Sequence, residues 1–364
     1  MTAHRRSPPL LVAALREPAT LARADTATWE LLVRQARKAD LLPALAVRLS
    51  NQSVVAVPAA AQAHLDAAAV LAGAQRAEVL RELGHIRRAL APLGVEPVLL
   101  KGAAYVAADL PPSQGRLFND IDLMLPKAML PQAEAQLMLH GWATTHHSAY
   151  DQRYYREWMH ELPPLRHIHR QSVIDLHHAI LPQTARLQPN PAKLFAAAVA
   201  APQCAGFRVL SGVDLVLHSV SHLAHNDDTT RMLRDLTDID LLLRNFALRS
   251  GFWLELLDRA VDLNLQRPLH YVLRQSHLLL GTPVPRQILQ SVSRQGGPGP
   301  LVGRLMDRLW TRALLANHTS MRVWTTPLAL GALYVRAHWL RMPPILLARH
   351  LAVKAFGLNR SMTK

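Results

Sequence analysis

Two short segments constrain this chain more than anything else in it. They are Pro97-Val98-Leu99-Leu100-Lys101-Gly102-Ala103 and, sixteen residues after Ala103, Asn119-Asp120-Ile121-Asp122-Leu123-Met124-Leu125. The first is an apolar run that reaches a glycine and continues into a helix-compatible Ala-Ala-Tyr-Val-Ala-Ala. That order predicts a strand, a tight turn and the amino end of a helix, where free N–H groups and the helix dipole attract phosphate. In the second segment, strand alternation puts Asp120 and Asp122 on one face and Ile121 and Leu123 on the other. The two carboxylates are expected to share one cleft. Like charges held a few ångströms apart are costly without a cation between them, and an oxygen-only pair favours Mg2+ or Mn2+ over zinc. Without the cation the site is expected to be strained.

Gly102-Ala103 followed by Asp120-Ile121-Asp122 resembles the signature of the DNA polymerase β-like nucleotidyltransferase superfamily. The Leu100-Lys101-Gly102 form is similar to its branch of bacterial nucleotidyltransferase family proteins, and the similarity spans residues 29 to 245. The resemblance implies an α+β fold: a polymerase β-like palm, a mixed sheet with helices, embedded in a mostly α-helical chain. It also implies a third carboxylate on a later strand. The candidate is Asp175 in Val173-Ile174-Asp175-Leu176-His177-His178, where alternation sets Asp175 and His177 on one face. Two departures stand out. The superfamily's small hydroxyl residue after the glycine is Ala103 here, which removes a phosphate hydrogen bond. The gap to Asp120 is also long, which implies an extended helix or loop through Pro111 and Pro112.

The resemblance further implies metal-dependent transfer of a nucleoside monophosphate from an NTP to an acceptor hydroxyl, with pyrophosphate released. Asp120, Asp122 and Asp175 are then the expected catalytic residues and the ligands of Mg2+ or Mn2+. Lys101, Gly102, Ala103, Arg116 and His177 are the expected nucleotide contacts. Lys101 also reads as a strand-end lysine in solvent, and His177 as a residue that orients a carboxylate or as a satisfied buried histidine. The acceptor is left open between a small molecule, a protein and an RNA end. The alternative class is a non-catalytic nucleotide-binding or interaction protein of a membrane-associated pathway. No Walker or Rossmann glycine pattern occurs in the sequence.

A second copy of the tetrapeptide, Asp238-Ile239-Asp240-Leu241, lies among Met232, Leu233, Leu236, Ile239 and Leu243 at helical spacing. Residues two apart on a helix point about 200° apart, so this copy is expected to be structural, with Asp238 paired to Arg234 or Arg231. His218, His222 and His225 share one predicted helical face. They lack the glutamate of a zinc-protease helix, which favours a packed or substrate-facing role over a metal.

Four segments are expected: a helical region over 1–93, the palm over 94–188, a helical substrate-binding region over 189–295 and a basic helical tail over 301–364. Gln295-Gly296-Gly297-Pro298-Gly299-Pro300 reads as a linker. The chain has 364 residues, 50% hydrophobic, with a formal net charge of +15. Ten Lys or Arg against Asp307 in residues 301 to 364 place nine of those charges in the tail, interleaved with Trp310, Trp324 and Trp339. Such a tail packs on the core with its arginines outward, lies on an anionic membrane surface, or binds nucleic acid. Arg16 and Glu17 cut off the amino-terminal apolar run, which reads as no signal peptide. A single cysteine, Cys204, suits a reducing cytoplasm. The expected location is cytoplasmic, peripheral to the inner membrane face if the tail meets lipid.

Overall fold

A computed structural model describes residues 8–50, 55–146 and 148–343. At the amino end, Leu11, Val12, Ala14 and Leu15 of α1 (Leu10–Arg16) are buried. The Asp25 carboxylate accepts a hydrogen bond from the Thr28 amide at 2.8 Å and caps α2 (Thr26–Lys38). Trp29, Leu32, Val33 and Ala36 of α2 turn inward at the spacing that marks an amphipathic helix. After α3 (Leu42–Ser50), the 32 residues of α4 (Ala59–Leu90) extend about 48 Å at 1.5 Å per residue. That helix delivers the chain into β1 (Val98–Leu99).

The α/β part follows as α5 (Lys101–Ala107), β2 (Ile121–Met124), α6 (Leu130–Leu139), β3 (Trp142–Thr144), α7 (Ala149–Arg153), β4 (Leu165–His167) and β5 (Val173–His177). Then come α8 (Pro191–Ala197), β6 (Val199–Ala200) and β7 (Arg208–Val209). These strands make one seven-stranded sheet in the order β3-β4-β5-β2-β1-β7-β6. The β2/β5 and β1/β7 pairs are parallel and the other four antiparallel, so the sheet is mixed, as an α+β chain requires. Chain that was expected to be wholly helical after Pro189 therefore returns to the sheet. Two-residue strands carry no alternation to read, and β7 is held by backbone pairing to Val98 and Leu99.

The rest is helical: α9 (Gly212–His225), α10 (Met232–Phe246), α11 (Phe252–Asp262), α12 (Gln266–Gln275), α13 (Arg286–Gly296), α14 (Pro300–Leu314) and α15 (Thr326–Arg341). The glycine-rich stretch after Gln295 leads from the end of α13 into α14. A Cβ on Gly296 would collide with the Gln266 carbonyl, so glycine there permits close packing of α13. Beyond it, Met306, Trp310 and Leu314 belong to the same hydrophobic cluster as Leu11 and Leu99. The Trp310 ring stacks 6.4 Å from Tyr271.

The described part of the tail thus packs on the core, but one face of α15 does not. Leu328, Val335 and Trp339 are exposed on it, and Trp324 just before it is 87% exposed. The Arg186 guanidinium lies over the Trp339 ring at 4.4 Å. Arg349, Lys354, Arg360 and Lys364 of the basic tail lie outside the described residues. No helix among the described residues is long and apolar enough to cross a membrane.

The second Asp-Ile-Asp-Leu is helical and buried in α10. Asp240, with its side chain 0% exposed, accepts from Arg48 at 2.9 Å, Arg244 at 2.7 Å and the Thr282 hydroxyl at 2.7 Å. Asp238 takes Arg116 rather than the expected Arg234 or Arg231, which turn to Asp235 and Asp40. Asp240→Asn leaves two half-exposed arginines without their anion. The penalty for breaking a fully buried pair is about 3–5 kcal/mol, and solvent screening of these arginines reduces it to about 2–3 kcal/mol. Urea unfolding of Asp240→Asn is expected to show that loss. An unchanged unfolding midpoint would contradict the structural assignment.

Candidate active site

The site begins at the turn between β1 and α5. Its left-handed residue is Lys101, with φ of 45°, and not the following glycine. A non-glycine residue there costs about 1–3 kcal/mol and persists only where neighbouring contacts hold it. The contact here is an ion pair: Lys101 Nζ sits 2.7 Å from Asp122 Oδ1. Gly102 serves a different need, since a Cβ would stand 2.9 Å from the Phe118 ring and 3.3 Å from Arg116 Nε.

Strand register supplies the rest. Asp122 in β2 lies directly beside Asp175 in β5, and Met124 beside His177, so alternation aligns Asp122, Asp175 and His177 on one face as expected. His177 Nε2 is 2.9 Å from Asp122 Oδ1, which makes Asp122 the carboxylate it orients. Asp120 precedes the strand and interacts electrostatically with Asp122, Lys101 and Arg116.

The charges settle unevenly. Burial pushes the Asp122 carboxyl up, but Lys101 and His177 outweigh it and hold Asp122 well below the usual carboxylate range. Burial alone would lower Lys101 and His177; Asp122 and Glu161 raise both above their ordinary values. Asp120 is raised by burial and by Asp122. Asp175 is raised to about 8 by burial and by the charges of Asp122 and Glu161. Its Oδ1 is buried without a hydrogen-bond partner. Partners of opposite charge thus compensate Asp122, whereas burial and like charges keep Asp175 raised.

The single cleft expected for the two aspartates is divided. Asp122 is 1% exposed, with Lys101 and His177 on its Oδ1. Asp120 borders a cleft with Gln75, Glu78, Phe118 and Asn119. Asp175 and Lys101 border another, with Tyr154, His160, Glu161, His222, His225 and Arg341. Gly102 and Ala103 are buried in α5 and line neither cleft. Arg116 is committed to Asp238, with Asp235 at 3.8 Å and the Tyr105 ring at 5.8 Å.

Glu161 and His160 are site residues that sequence reasoning missed. An isolated bridge pairs Glu161 with His177, and Glu161 Oε2 is 3.3 Å from His177 Nδ1. His160 and Glu161 sit just before Pro163-Pro164, in a stretch with no strand or helix period of its own. His222 and His225 face the cleft, as a substrate-facing helix would place them, while His218 is buried in α9.

An orphaned buried carboxylate oxygen, with two further aspartates in electrostatic reach, suits a hard divalent cation held by oxygen. Asp120, Asp122, Asp175 and Glu161 are the carboxylates present to hold one. The raised Asp175 also makes a pH prediction. Between its ordinary 3.8 and about 8 the folded protein holds a proton that the unfolded chain releases, so stability falls as pH rises through that window. Asp175→Asn removes that loss. In EDTA, the melting temperature of Asp175→Asn relative to wild type is expected to climb from about pH 5 to about pH 8. A difference independent of pH would mean Asp175 titrates normally.

Neither a curated protein nor a solved structure matches the chain. A family model described as an uncharacterised nucleotidyltransferase matches residues 25–281, well over half the chain and all of the sheet. The chain belongs to that nucleotidyltransferase family.

Proposed function

We propose that the protein transfers a nucleoside monophosphate from an NTP to an acceptor hydroxyl on a polymerase β-like palm, using Mg2+ or Mn2+. The observation that carries this reading is the pairing of Asp122 beside Asp175 at the β2/β5 register, with Asp120 in electrostatic reach of both and one Asp175 oxygen unpartnered. Asp120 and Asp122 would hold the cation that meets the triphosphate, and both with Asp175 the cation near the acceptor. Such ions neutralise charge on the attacking and leaving oxygens of an in-line displacement.

The chain's own groups do the remaining work. Lys101, released from Asp122, turns its ammonium to the phosphates from the edge of the cleft that it shares with Asp175. His177 keeps Asp122 oriented through its 2.9 Å contact. The acceptor oxygen bonds to the α-phosphorus as the α–β bridging bond breaks and pyrophosphate leaves. Asp175, once ionised, receives the hydroxyl proton. Arg341 and the tyrosines bordering the cleft are positioned to contact the bound substrates.

A second reading, a non-catalytic nucleotide-binding protein, draws on two observations. Lys101 already supplies Asp122 with a cation of its own, and Ala103 has no hydroxyl to offer phosphate. Incubation with each α-labelled NTP, Mg2+ and cell lysate separates the two, since only a transferase leaves label on an acceptor.

Asp122→Asn is expected to lower transfer more than about a thousandfold, equivalent to at least 4 kcal/mol of transition-state stabilisation. Near-normal turnover would remove Asp122 from the mechanism. Separately, Mg2+ is expected to raise the melting temperature, and Mg2+ with NTP to raise it further. At about one hundred times the dissociation constant the stabilisation is about 2.7 kcal/mol. The same shift in an Asp120→Asn, Asp122→Asn double variant would show that the cation binds elsewhere.

A further inference from the structure

We propose that His160, Glu161 and His177 form a second cation site, of the class that takes Zn2+ or Co2+, beside the carboxylates. One ligand atom from each residue lies within 4.8 Å of the other two. Backbone pairing fixes them: Glu161 bridges to His177, and the His178 amide donates to the His160 carbonyl at 2.8 Å. The two imidazole rings stand 5.2 Å apart. His177 is 1% exposed, and its Nδ1 faces Glu161 Oε2 at 3.3 Å without the alignment of a hydrogen bond. The Nδ1 of His160 is also buried without a partner. Two buried nitrogens with lone pairs or protons unmatched point to a ligand that the protein atoms do not supply.

The surroundings are those of a built metal ligand. An imidazole that binds a metal through one nitrogen ordinarily gives the other to a carboxylate, and His177 Nε2 has Asp122 in that place. Two imidazoles and one carboxylate, with a fourth position open, form the donor set of an exchangeable Zn2+ site, whereas Mg2+ prefers oxygen alone. His160 and Glu161 border the cleft that holds Lys101 and Asp175, which gives the ion an entry path. Its open position would take an oxygen or nitrogen donor from whatever molecule fills that cleft. The inference goes beyond the transfer reading and does not depend on it.

The test uses the full-length protein stripped with EDTA and titrated with Co2+, read by visible absorption and by Zn2+ competition. One equivalent is expected to give the intense bands of four- or five-coordinate Co2+, displaced by Zn2+ and not by Mg2+. His160→Asn and Glu161→Gln are each expected to weaken binding at least tenfold, on the order of the loss seen when a metal's supporting groups are removed. Asp120→Asn is expected to retain the bands. A hydrated, six-coordinate spectrum overturns the proposal, as do bands that persist in both variants or vanish only in Asp120→Asn. Should His160→Asn melt early in EDTA, Glu161→Gln decides alone, since its partly exposed side chain can change to an isosteric amide without a packing loss. The Mg2+ and NTP melting shift reads the aspartates separately, so either site can fail without the other.

Discussion

Everything near the active centre depends on how Asp122 tolerates burial. A carboxylate with almost no exposure carries a desolvation cost of several kcal/mol unless charged partners offset it. Lys101 and His177 both reach the same oxygen, one from the turn after β1 and the other from β5. Their arrival requires β1, β2 and β5 to lie side by side, which is the centre of the sheet order. It also requires the strained backbone at Lys101. Sheet topology, turn geometry and electrostatics are one constraint seen at three scales.

The two Asp-Ile-Asp-Leu tetrapeptides show how context sets the role of a motif. In β2 the extended chain sets Asp122 beside a neighbouring strand's aspartate, with Asp120 just before the strand at the border of a cleft. In α10 the same residues diverge, and each finds arginines: Arg116 from the connection after α5 for Asp238, and for Asp240 Arg48 from α3 with Arg244 one turn along α10 itself. The second copy thereby fastens α10 to α3 and to the long connection after α5. That connection, through Pro111 and Pro112, includes the arginine that was expected to face phosphate.

Alternation and helical spacing are local properties, and what rests on them was legible in the sequence. Asp122 of β2 and the strand containing Asp175 and His177 follow from such spacing. What depends on distant partners was not. Strands β6 and β7 are too short to carry a period, and exist because Arg208 and Val209 find Val98 and Leu99. Glu161 joins the site through a single bridge to His177. The apparent linker at Gly296 is set by a collision with Gln266, thirty positions earlier. The family match supports the class of chemistry that the aspartates suggested, at the level of a nucleotidyltransferase.

The ion pair between Lys101 and Asp122 has one further consequence. A divalent ion arriving at Asp122 must displace an ammonium that then needs another anion, and a triphosphate is such an anion. A triphosphate arriving at Lys101 must likewise free a carboxylate that then needs another cation. In the proposed reaction each ligand therefore relieves a charge that the other has left unmatched, and by linkage the coupling is equal in both directions. In that reading the pair acts as an internal placeholder, and each ligand binds more tightly once the other is present.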